Sequence, residues 1–154
     1  MADSKQKEVS PKAKNLSARL LAVQAFYQMK QNTQTIRSVY QEYSKYRMDG
    51  EADGQKLTPP DGKLFKQILF GTDERFTELD SVIAANLKKD AEDRKVEPLL
   101  KAILFCGAYE LLAQQDIDAP IIINDYLNVG HAFYDKNEVA LINGVLDSVA
   151  RVFR

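Results

Sequence analysis

Three stretches, KAILFCGAYELL (101–112), DAPIIINDY (118–126) and LINGVLDSVARVF (141–153), decide the fold of this chain. In each, apolar residues return at three- and four-residue intervals, the pattern of a helix with a buried face. None alternates residue by residue as a half-buried strand does. Gly107 lies inside the first stretch and Asn143-Gly144 inside the third. A glycine in a helix interior costs about 0.5–1 kcal/mol relative to alanine. Two such sites in neighbouring helices predict close backbone approach at both.

Upstream, Leu16, Leu20, Val23, Phe26 and Tyr27 fall on one face of a first helix, and Ile36, Val39, Tyr40 and Tyr43 on a second, shorter one. The segment MDGEADGQKLTPP (48–60) is rich in Gly, Pro and charge and reads as an exposed loop. From Asp61, Phe65, Ile68, Leu69, Phe76, Leu79, Ile83 and Leu87 mark one long helix or two, with Gly71-Thr72 as the expected joint. The charged connection KKDAEDRKVEP (88–98) follows. Pro98 and Pro120 each suit the first turn of the next helix, where a missing N–H matters least. Asp116 and Asp118 stand near the positive end of the helix that Pro120 opens. The last helix is expected to bury Ile142, Val145, Leu146, Val149 and Phe153. The fold class is all-α, with about seven helices.

At 154 residues the chain has room for one domain with a core or two small packed subdomains. Its 21 Lys+Arg and 22 Asp+Glu nearly cancel. Residues 1–31 carry six lysines and arginines against two acids, a net +4, which leaves −5 for the rest. Residues 1–13 therefore read as a basic flexible arm, compatible with RNA or an acidic partner and equally with a solvated tail. Cys106 is the one cysteine, so no intramolecular disulfide forms, and its apolar helix predicts a buried small hydrophobe. No apolar run approaches the roughly 20 residues that span a bilayer, and no signal-peptide pattern opens the chain. The expected location is the cytoplasm, away from membranes.

Catalytic chemistry has little to build on. One His and one Cys do not make a zinc site, and His131 reads as a structural or surface residue beside Phe133 and Tyr134. Gly50 and Gly54 follow no strand, so they form no phosphate loop. Neither an enzyme nor a cofactor is expected.

The order and content of these blocks resemble the NusB family of bacterial transcription antitermination factors, from about Ala18 to Val152. The matching features are ARLLAVQAFY (18–27) with Arg19, Gln24 and Tyr27, then Tyr109-Glu110-Leu111, Ile123-Asn124-Asp125 and Asn143 to Asp147. The resemblance implies a single helical domain over 14–154, built as two packed helical bundles at about 14–90 and 96–154. It implies binding of boxA-type single-stranded RNA of ribosomal RNA transcripts together with NusE, a small-subunit ribosomal protein. The complex then joins the transcribing RNA polymerase and suppresses premature termination. Family members occur as monomers and as dimers, so a homodimer is also among the expected partners. The end of the chain at Arg154 favours the stand-alone factor over the related rRNA methyltransferases.

RNA of this kind is held by cations on phosphates and by planar rings under bases. The expected RNA-binding residues are Lys12, Lys14, Arg19, Tyr134 and Asn137, with Tyr134 open to a second reading as a half-buried packing residue. Gln24, Tyr27, Glu97 and Leu100 are the expected partner-binding residues. The chain departs from the family's contact pattern at Asn15, Leu16, Ser17, Leu100, Phe105 and Leu141, so the scaffold matches better than the contacts. A protein-binding helical adaptor with little RNA affinity is the competing reading.

Overall fold

The computed structural model describes residues 10–48, 51–52, 55–56, 58–87 and 96–154. The helices are α1 (Pro11–Asn32), α2 (Ile36–Tyr46), α3 (Gly62–Glu74), α4 (Phe76–Asn86), α5 (Pro98–Ala113), α6 (Ala119–His131) and α7 (Lys136–Phe153). Between α2 and α3, β1 (Glu51–Ala52) and β2 (Gln55–Lys56) form a minimal antiparallel pair inside the segment expected to be loop. The architecture is otherwise all-α, as the apolar periodicity requires.

Local signals set the helix ends. Ser10 caps α1 by accepting the Ala13 N–H at 3.1 Å, with Pro11 in the first turn. Pro11, Lys12 and Ala13, expected in the arm, are therefore helix; residues 1–9 lie outside the described residues. Thr35 and Asp61 cap α2 and α3 in the same way. Pro98 and Pro120 open α5 and α6 as their chemistry predicts. Thr33 ends α1 at φ 50°, the left-handed region that a β-branched residue rarely enters.

Helix α5 is the axis of the molecule. Eleven of its 16 residues are buried, so it is enclosed on all sides rather than on one face. It packs against α1, α3, α4, α6 and α7, and α1 in turn lies against α2, α3, α5 and α6. One continuous apolar core, including Phe26, Phe65, Leu69, Ile103, Leu104, Tyr126 and Leu146, runs through both halves.

The glycines separate close approach from open surface. A Cβ at Gly107 would lie 2.9 Å from Leu146 Cδ1, and one at Gly130 2.7 Å from Ile142 Cδ1. Gly71 is not a joint; the break between α3 and α4 falls at Arg75, and a Cβ at Gly71 would enter the Tyr109 ring. Gly144, expected at a helix contact, has nothing within 4 Å and is exposed with Asn143. The Asn-Gly pair therefore faces away from the packing that Val145 and Leu146 make. Phe153, expected in the core, is 39% exposed at the C-terminal end of α7. Its carbonyl accepts from Gln115, and Arg154 bonds the Gln115 and Ile117 carbonyls, tying the terminus to the α5–α6 connection.

Candidate RNA and partner surfaces

Helix α1 carries most of the expected site residues and sends them in three directions. Lys12 and Lys14 are exposed at its start. Gln24 and Tyr27, half-buried about four turns further on, line clefts on the body of the protein. Arg19 points inward.

Arg19 is 2% exposed and corrects the expectation that it meets phosphate. Its Nε and Nη2 donate to the two carboxylate oxygens of Glu110 at 2.7 and 2.8 Å, and Nη1 donates to Asp125 at 2.8 Å. Tyr126 OH donates to Glu110 at 2.5 Å, and Gln114 adds a longer bond at 3.3 Å. Burial alone would lower the guanidinium's pKa; the Glu110 hydrogen bonds and charge, with Tyr126 and Asp125, outweigh it and raise it. Burial and the adjacent Glu110 carboxylate hold the Tyr126 phenol protonated well above its usual range. The planar fork of arginine satisfies two carboxylates at once, which a lysine does not. The motif residues Arg19, Glu110 and Asp125 thus join α1, α5 and α6 rather than face a ligand.

Two clefts meet at Tyr27. An open cleft of about 250 Å³ has Phe26, Phe76, Phe105, Val96 and Pro98 as apolar walls, with Lys30, Lys101 and Asp80 among its polar residues. Phe76 and Phe105 stack at 4.9 Å between centroids, Phe26 lies 5.7 Å from Phe105, and Lys30 Nζ sits 3.9 Å from the Phe76 centroid. A cation over a ring face is attracted by the ring quadrupole. The second cleft, about 300 Å³, is polar and lined by Gln24, Gln28, Gln31, Asn32, Tyr43 and Arg47 besides Tyr27.

Glu97 is exposed immediately before α5, next to Val96 and Pro98 of the apolar cleft. Leu100, expected at the partner surface, is 4% exposed and belongs to the core, because it lies on the inward side of the first turn of α5 while Pro98 and Lys101 are exposed. Phe105, another departure from the family pattern, is a buried member of the aromatic wall. Asn137 is exposed in the first turn of α7. Tyr134 is half-buried, and its hydroxyl is sequestered without a well-formed hydrogen bond. Burial first, then the Glu97 carboxylate, raise its pKa, with Tyr27 contributing. Tyr134 thus packs against the core rather than standing open for a base.

Phe76, Lys30 and Lys101 of the cleft carry no site signal in the sequence. They are unremarkable helix positions on three separate elements. Cys106 is fully buried, and burial pushes its thiol far above the ordinary range, so it is no nucleophile. His131 ends α6 on the surface. Among the described residues no three His, Cys, Asp or Glu side chains are grouped to hold a metal, and no helix is long and apolar enough to cross a membrane.

The family model of the NusB family matches residues 16–151. The chain belongs to the NusB family. A transcription antitermination protein NusB of Nitrobacter hamburgensis is 34% identical over 154 residues, covering 100% of this chain and 96% of that protein. The one from Rhodopseudomonas palustris BisB5 is 35% identical over 138 residues, covering 90% and 79%. Among solved structures, NusB of T. maritima superposes with a TM-score of 0.71 at 20% identity, covering 94% of this chain and 93% of that one. The shared fold accounts for the motif blocks: Arg19, Glu110 and Asp125 meet in the interior of this family member, and Gly107 packs beneath Leu146.

Proposed function

We propose that this protein is a transcription antitermination factor that binds boxA-like single-stranded RNA together with NusE and joins the transcribing polymerase in the cytoplasm. The observation that carries this reading is the NusB family match over residues 16–151. Lys12 and Lys14 supply exposed cations for phosphates at one end of α1, and Gln24 and Tyr27 supply a cleft surface for a protein at the other. With about 1.5 Å of rise per residue, the 13 residues from Lys14 to Tyr27 separate the two by roughly 20 Å. One helix thus presents both surfaces without overlap. A fluorescence titration of labelled boxA-like RNA, with and without NusE, tests the reading. Tighter binding when NusE is present is the expected result, and a chain that binds neither RNA nor NusE overturns it.

The adaptor reading keeps one specific observation in its favour. Burial of Arg19 and Leu100 takes one expected RNA contact and one expected partner contact off the surface. NusE binding with no RNA affinity at physiological salt would select it.

A further inference from the structure

The near-zero net charge conceals a division between the two ends of the chain. Residues 1–66 hold twelve lysines and arginines against seven acids, a net +5, and residues 67–154 hold nine against fifteen, a net −6. Within 10–48 and 58–66 the only acids are Glu42 and Asp61, and both carboxylates are engaged. Glu42 accepts from Gln28 at 3.0 and 3.1 Å and from Gln34 at 3.1 Å, and Asp61 accepts the Leu64 N–H at 2.9 Å. The ion pairs formed among the described residues, Arg19 with Glu110 and Asp125, Lys30–Asp73, Arg75–Glu78 and Arg151–Asp147, do not include the lysines at the starts of α1 and α3.

The packing gathers those lysines. The Asp61 N–H donates to the Lys14 carbonyl at 3.1 Å, fixing the start of α3 against the first turns of α1. The end of α2 reaches the same place, since a Cβ on Gly62 would lie 3.5 Å from Met48 Cε. Lys63 and Lys66 follow on one side of α3, three residues apart, both exposed, with Lys66 Nζ 5.5 Å from the Tyr40 centroid. Arg47 and Tyr46 stand at the end of α2, Tyr46 62% exposed with Lys45 Nζ 5.4 Å from its ring.

From this convergence we infer that the RNA track does not stop at α1 but crosses the start of α3, by Lys63 and Lys66, to the exposed Tyr46 at the end of α2. Single-stranded RNA is the occupant the chemistry fits: a row of separated cations for successive phosphates, and an exposed ring for a base. The net negative charge of residues 67–154 favours the strand at the basic residues over the rest of the chain. The inference rests on the RNA-binding reading above.

The test is the salt dependence of binding to a fluorescein-labelled boxA-like RNA, read by anisotropy. Each lost phosphate contact with a single strand lowers the slope of log K against log salt by about 0.7. K63Q/K66Q is expected to lower it by about 1.4, as K12Q/K14Q does, with thermal melts unchanged because all four side chains are exposed. R75Q/R151Q removes the same charge from residues 67–154, at two arginines engaged with Glu78 and Asp147, and is expected to leave the slope as it is. Y46A is expected to weaken binding without changing the slope. If K12Q/K14Q lowers the slope and K63Q/K66Q does not, the extension falls while the RNA reading stands. If R75Q/R151Q acts as strongly as K63Q/K66Q, the effect is net charge rather than a track, and the extension falls again. If the wild-type chain shows no salt-dependent RNA binding, or an acidic polypeptide competes as well as unlabelled RNA, both fall.

Discussion

Arg19→Met separates the structural role of this arginine from an RNA role. The substitution keeps a flexible apolar stem in place and removes the cation between Glu110 and Asp125, which lie at 2.7–2.8 Å from it. Two buried carboxylates then lose their shared counter-ion, and Tyr126 is left as one of the few remaining donors to Glu110. Breaking a buried ion pair from one side costs roughly 3–5 kcal/mol. At about 2–4 °C per kcal/mol for a domain of this size, the melting temperature falls by about 6–20 °C. Circular dichroism melts at 222 nm read that loss. Arg19→Met combined with Glu110→Gln and Asp125→Asn removes all three charges while leaving Tyr126 an acceptor, so it should recover most of the stability. RNA binding measured well below the melt should keep the wild-type salt slope, since no exposed cation has been lost. An Arg19→Met protein that melts within about 2 °C of wild type, yet binds RNA with a slope lower by about 0.7, refutes the reasoning.

Other substitutions and conditions give further outcomes. Gly144→Ala is expected to stabilise by about 0.5–1 kcal/mol, because its Cβ meets open space in a helix interior. Gly107→Leu is expected to destabilise by about 1–3 kcal/mol or more through overpacking against Leu146, and paired denaturation curves compare the two. Tyr27→Ala is expected to weaken NusE binding about thirtyfold, the scale of an interface tyrosine worth about 2 kcal/mol, while RNA affinity of the free chain changes little; parallel melts and titrations check it. Alkaline pH should unfold the protein from a defined onset. Cys106 and Tyr126 have ordinary values of 9.0 and 10.0, and burial raises both in the folded state. The folded state therefore holds protons that the unfolded chain has released, and stability falls as pH rises above 9. Cys106→Ala should move the onset upward towards 10, which denaturation midpoints across pH 8–11 would read.

The fold was legible because its signals are local and repetitive. Apolar spacing placed α1, α2 and the C-terminal helices, and Pro98 and Pro120 marked two starts. What the sequence hid was direction. Arg19 sits in a helix between Ala18 and Leu20, and nothing in its spacing says that Glu110 and Asp125, 91 and 106 residues away, take its charge. Gly107 and Gly144 look alike as helix glycines, but one lies under Leu146 and the other faces open space. Leu100 differs from its neighbours only in which side of α5 it occupies. The basic end was partly visible: Lys12 and Lys14 stood out beside the arm, but Lys63 and Lys66 join them only once α3 is packed on α1.

Terminator read-through is the most direct readout of antitermination by this chain. Purified bacterial RNA polymerase would transcribe a template carrying boxA ahead of a terminator, with NusE and the other antitermination factors present, and this chain added or withheld. More read-through is expected when the chain is added, with loss of the gain when boxA is scrambled and a smaller gain for K12Q/K14Q. Read-through that is unchanged by the chain, or raised equally on the scrambled template, would contradict the proposed function.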